Sequence, residues 1–261
     1  MSRPLVLVYH AVSSSWPSPL AIPEPIMREQ LQYLRERGYT GFTFAELERG
    51  RLAGTLPRRS VAITFDDGYA SVLRAKPILD ELDFPGTVYA VTSFPSSGRN
   101  LVWPGVELDD ASPFAAEMQP LAWDELATLR DSGWEVGSHT VHHRFLPRLD
   151  AAMLQRELEE SRATVTEHLG SCETIAYPYG ASSPAVVAAT RAAGYLAGCT
   201  GTFVHEFDDQ FRRPRVELHP ADRGRRLRFQ VSGVALALRR SAPAKLARRL
   251  RRKRDWIPAN A

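Results

Sequence analysis

Short continuous apolar runs alternate along this chain with longer segments whose apolar residues recur every three or four positions. The apolar runs are LVLVY from Leu5, SVAITF from Ser60, GTVYAV from Gly86, WEVGSH from Trp134, TIAYPYG from Thr174 and YLAGCT from Tyr195. Between them lie EPIMREQLQYLRERG, YASVLRAKPILDELD, WDELATLRDSG, AMLQRELEESRATVTEHLG and SPAVVAATRAAG, all with helical periodicity. Several of these helices end at a glycine (Gly38, Gly133, Gly170, Gly194), the residue that most easily adopts the left-handed conformation just past a helix. Strands that are apolar throughout are buried on both faces, so the pattern predicts an α/β fold with a parallel sheet covered by helices, open or closed into a barrel. The stretch from Ser93 to Pro120 breaks the alternation, with four prolines after Phe94, and predicts a long excursion from the sheet. Such excursions often border binding sites.

A chain of 261 residues can bury a substantial core as one domain. No window approaches the roughly 20 apolar residues of a membrane span, and the N-terminus runs into strand-like sequence without a cleavable apolar segment, which predicts a cytoplasmic protein. Cys172 and Cys199 are too few for a disulfide framework and read as reduced core residues. The net charge of +3 conceals a division, because residues 239–261 hold nine Lys or Arg and one Asp and leave the remainder net negative. The expected organisation is therefore a domain over residues 1–235 and a basic tail over 236–261. The plain reading of the tail is a solvated end. Its functional reading is contact with anionic lipid on the inner face of a membrane, anchored by Leu246, Leu250 and Trp256. No nucleic-acid motif accompanies the charge, so no specific nucleic-acid partner is expected. Nothing in the sequence signals an oligomeric state.

The chemistry concentrates at two strand ends. VAITFDDGY places Asp66 and Asp67 side by side before Gly68. Helix capping accounts for one aspartate; a cation accounts for two, with one carboxylate as ligand and its neighbour accepting a proton from water. WEVGSHTVHHRFL supplies His139, His142 and His143. His139 and His143 are four apart, which on a helical turn puts both rings on one face, with His142 pointing elsewhere. Asp67, His139 and His143 make a three-ligand set of the open, catalytic kind. His10, where LVLVY ends, reads in isolation as a half-buried strand-end residue.

TFDDGY, GSHTVHH and IAYPYG, in this order and separation, resemble the three leading motifs of the polysaccharide deacetylases of carbohydrate esterase family 4, the group with nodulation-type chitooligosaccharide deacetylase homology. The resemblance covers residues 4 to 218. It implies a single-domain, distorted (β/α)7-type barrel with its site at the strand C-termini. It also implies Asp66 as general base, Asp67, His139 and His143 as ligands of one divalent metal, with zinc expected, and an oxyanion site at the backbone of Tyr179 shaped by Pro178 and Gly180. LVYHAV looks like the branch acting on poly-N-acetylglucosamine, in which a histidine after the first strand is the general acid; that implies His10, with His219 in RVELHP as competitor. One departure stands out. Many members carry an arginine two residues before the proline of the third motif, where this chain has Ala176, and RRPRVEL makes Arg215 the candidate partner for Asp66. The implied activity is hydrolysis of N-acetyl groups on N-acetylhexosamine units of a carbohydrate, either a glycan or a lipid-linked precursor. A small non-sugar amide substrate, or a non-catalytic glycan-binding relative, are the alternatives.

Overall fold

A computed structural model of the chain describes residues 4–103, 113–201, 209–232 and 235. The tail from 236 and the middle of the excursion lie outside the described residues. The strands are β1 (Leu5–Tyr9), a minor pair β2 (Ala11–Val12) and β3 (Ala21–Ile22), β4 (Thr40–Phe42), β5 (Ser60–Phe65), β6 (Gly86–Ala90), β7 (Glu135–Ser138), β8 (Thr174–Ala176), β9 (Ala197–Thr200), β10 (Arg213–Pro214) and β11 (Val216–Glu217). The helices are α1 (Glu24–Glu36), α2 (Phe44–Ala53), α3 (Lys76–Glu81), α4 (Trp123–Asp131), α5 (Ala151–Leu169), α6 (Pro184–Ala192) and α7 (Gly224–Gln230).

Every strand pairing is parallel, running β9–β8–β7–β6–β5–β1, with β4 against the first half of β5 and β6 against the second. The last segment resolves the choice that periodicity left open. Arg213–Pro214 pairs with β9, while Val216–Glu217 pairs with β1. One stretch of chain thus joins both edges of the sheet, and the sheet closes into a distorted seven-stave barrel.

Alternation along the strands sorts residues into two cores. Leu5, Leu7, Tyr9, Val61, Ile63, Phe65, Val88 and Val136 face the surrounding helices. Val6, Ala62, Tyr89, Ala176, Ala197 and Cys199 fill the interior together with Phe44 and Leu47 of α2, which seals the N-terminal end of the barrel. Tyr89 fills so much of that interior that a side chain at Gly137 would come within 2.6 Å of its ring. The interior is also partly polar. Arg213 meets the buried Glu48 of α2 at 2.7 Å, and Glu135 accepts from Thr87, Thr174 and the Ala45 amide.

Periodicity missed β4 and α2, although TFAE is a capping-box sequence: Thr43 caps the Glu46 amide and Glu46 returns to the Thr43 amide. Both cysteines are free and buried. Among the described residues, no helix is long and apolar enough to cross a membrane.

Candidate active site

The inward positions of adjacent staves converge at the C-terminal mouth of the barrel. On β5 they are Ala62 and Thr64, then Asp66 one step beyond the strand. The next residues leave the strand direction at once, with Asp67 at φ 72° and Gly68 at φ 79°. Aspartate tolerates that left-handed conformation better than most residues. Glycine suits 68, where any side chain would be strained by the left-handed φ and would press on the Ala90 backbone at 3.3 Å. This turn lets two adjacent carboxylates point to different partners.

Asp66 is buried and receives both Nη groups of Arg215, each at 2.6 Å, in a two-pronged pair. Arg215 lies between β10 and β11, also donates to the Thr200 carbonyl and the Thr64 hydroxyl, and rests over the Tyr89 ring. The guanidinium that Ala176 cannot supply is thus delivered by the strand that closes the barrel. Burial alone would raise the Asp66 pKa. The Arg215 charge overrides it, His139 and His10 add to it, and the carboxyl stays well below its ordinary value of 3.8.

Asp67 faces the histidines, its Oδ1 3.3 Å from His139 Nε2 and 3.4 Å from His143 Nε2. All three side chains are buried, and their ligand atoms lie within 4.8 Å of one another. His139 takes the inward position after β7, and its Nδ1 donates to the Ala176 carbonyl at 2.8 Å, which fixes the ring with Nε2 turned toward Asp67. Against burial, Asp66 and then Asp67 raise the His139 pKa. Burial pushes His143 down to about 3, so its ring is neutral. Asp67 is itself lowered, despite burial, chiefly by the hydrogen bond from His139. An ionised carboxylate and two imidazoles so arranged fit a divalent ion.

His139 and His143 do not lie on a helical turn as their spacing predicts. Thr140 (φ 68°) and His143 (φ 56°) are left-handed, which an α-helix does not allow. The loop is held from outside instead. Glu157 on α5 accepts from the Val141 and His142 amides at 2.9 and 3.0 Å, and Thr140 Oγ1 accepts from the His143 amide. His142 does point away, its half-exposed ring 2.7 Å from Glu157. No spacing in the sequence singles out Glu157.

His10 follows β1, which pairs with β5 in the register Tyr9 to Phe65, and the Asp66 amide donates to the Tyr9 carbonyl. The next inward position on β1 is therefore beside Asp66. Asp66, Asp67 and His143 all lie within electrostatic reach of His10. His219 follows β11, on the far side of β1; its exposed ring is 3.9 Å from Glu217, and it shares a small cavity with His10. Tyr179 (φ 58°) occupies a tight 3-10 turn between Pro178 and Gly180, packed so close to Gly201 that a side chain at 180 would clash. Its ring, 40% exposed, lies 4.7 Å from that of His143, and its hydroxyl is pushed up to about 12 by burial and then by Asp67.

Trp134 stacks on Phe65 in the outer core and Trp123 on His168 outside it. Trp103, from the excursion, stacks on His143 at 4.1 Å. Sequence reasoning did not foresee that contact.

The model of the family described as polysaccharide deacetylase matches residues 53–198, more than half of the chain. This chain belongs to that family. Its relatives include YxkH of Bacillus subtilis, 24% identical over 198 residues that make up 75% of this chain. The poly-beta-1,6-N-acetyl-D-glucosamine N-deacetylase of Escherichia coli (strain K12) is 29% identical over 57% of the chain. The chain spans 63% of the length of the first and 22% of the second. Among solved structures, IcaB from Ammonifex degensii is 27% identical with a TM-score of 0.69, over 85% of this chain and 94% of that one. In this chain the family's fold places the Asp67, His139 and His143 cluster at the mouth of the barrel.

Proposed function

We propose that this polysaccharide deacetylase removes N-acetyl groups from N-acetylhexosamine units of a glycan or glycan precursor. One observation carries the reading: two adjacent carboxylates with separate partners, Asp66 on Arg215 and Asp67 on two histidines, at the mouth of the barrel. The relatives named for poly-N-acetylglucosamine support an N-acetylglucosamine substrate.

Asp67, His139 and His143 would hold the ion, zinc by the nature of the ligands, and when bound it supplies Lewis acidity at the amide carbonyl and makes water more acidic. Asp66, kept ionised by Arg215, accepts the proton of the attacking water. The Tyr179 backbone amide donates to the oxygen that becomes anionic as the carbonyl carbon turns tetrahedral. His10, on the neighbouring stave, gives a proton to the departing amine so that acetate and a free amino sugar separate. Trp103 and Tyr179 both pack on His143, and this aromatic cluster would limit water around the reacting amide.

Assigning the acid to His10 rather than His219 has a direct consequence. His10→Ala should lose about 10²–10⁴-fold in kcat/KM for acetate release from N-acetylglucosamine oligomers. His219→Ala should stay within a few-fold of wild type. The reverse ranking would move the role to His219.

The basic tail supports a peripheral membrane contact, with a lipid-linked sugar as the precursor reached there. Flotation with anionic vesicles should recover the full chain but not a form lacking residues 239–261, and neither form should float with neutral vesicles. Equal recovery of both forms with anionic vesicles would remove this placement.

A further inference from the structure

The two histidines of the proposed metal set are held in different ways. His139 is oriented by a hydrogen bond to the Ala176 carbonyl, the usual device for a ligating imidazole. His143 has no such bond: its Nδ1 is buried without a hydrogen-bond partner among the described residues. Its backbone is fixed, through the hydrogen bond its amide donates to Thr140 Oγ1 and the left-handed φ of 56°, but neither feature sets the plane of the ring. Packing sets it. The Trp103 indole lies on the imidazole at 4.1 Å between centroids and 23° between planes, close to parallel. The Tyr179 and His139 rings meet it at steep angles, 58° and 60°.

Trp103 is itself braced. Phe94 meets it edge-on at 6.1 Å and Tyr69 at 6.4 Å, and Tyr69 in turn abuts Trp16. The Leu101 amide bonds the Met118 carbonyl at 2.8 Å, tying the two described arms of the excursion together just before Trp103. A ring with one face committed to a histidine and its edges to two other aromatics is poorly placed to stack on a sugar with that face.

We propose that Trp103 is a positioning residue for the metal site, fixing the plane of the His143 ring by stacking where the other histidine uses a hydrogen bond. The proposal rests on Asp67, His139 and His143 being metal ligands. It makes the excursion between the first two motifs part of the metal centre's support.

The test is zinc affinity measured by chelator competition, without substrate, for wild type, Trp103→Ala, Trp103→Leu and Trp103→Phe. Loss of an outer partner of a ligating histidine typically weakens binding about 10- to 100-fold, so Ala and Leu should fall at least about tenfold. Phe, which still stacks, should stay within about threefold. In a His143→Ala background, Trp103→Leu should have no further effect, because the ring it orients is gone. A general loosening of the loop would persist in that background and would overturn the proposal. So would a Trp103→Leu protein that melts like wild type and binds zinc equally well. Should the Ala variant fail to fold, the Leu and Phe variants carry the comparison. Wild-type protein that takes up no zinc overturns the metal-site reading itself, whereas tight wild-type binding with an unaffected Leu variant overturns the role of Trp103 alone.

Discussion

Asp66→Asn is expected to lower acetate release by about 10²–10⁴-fold, the range over which a positioned general base contributes. Zinc affinity should change far less, because Asp66 is bound to Arg215 and Asp67 is the carboxylate facing the histidines. Asparagine keeps the shape of the side chain and removes its ability to take a proton. Parallel zinc titrations of the variant and the wild type separate the two effects. A large fall in affinity matched to the fall in rate would mean that Asp66 holds the ion rather than the proton. Unchanged acetate release would end its candidacy as base.

Arg215→Met is expected to cost about 3–5 kcal/mol of stability, the usual penalty when one member of a buried ion pair is left without the other. The pH dependence should reverse as well. In the wild type the folded Asp66 pKa lies below its ordinary value of 3.8, so the pair's contribution is present above that value and is lost as pH falls through the lower folded value. Without Arg215, burial dominates and raises the folded pKa. Asp66 then destabilises the fold progressively as pH rises through that raised value. Denaturant melts of Arg215→Met from pH 4 to 8 should show stability falling with pH, and the Asp66→Asn/Arg215→Met double variant should recover part of the loss with little slope. Additive single and double effects would mean that the 2.6 Å contacts contribute no coupling.

Much of the site was legible in the sequence because its parts lie at strand ends. A strand that is apolar to its last residue and then reads Asp-Asp-Gly announces a functional turn, and three histidines after another strand announce their partner. The barrel was legible only through the family resemblance, because closure depends on the short segment Arg213–Glu217, whose halves pair with different strands and are too brief for periodicity to register. The left-handed residues Thr140 and His143 made a helical spacing misleading. Glu157 was invisible for a different reason: it lies mid-helix on α5, where its sequence neighbours give no sign that the carboxylate reaches across to a loop. Trp103 lies in the excursion that the sequence predicts, but which ring it would stack on depended on how that segment folds back.

The most direct test of the account is acetate release from N-acetylglucosamine oligomers by metal-stripped protein as zinc is added back. The account predicts no release without metal and a linear rise that breaks at one equivalent of zinc, absent in His139→Ala. Release by the stripped protein at the full rate, or an undiminished response in His139→Ala, would contradict it.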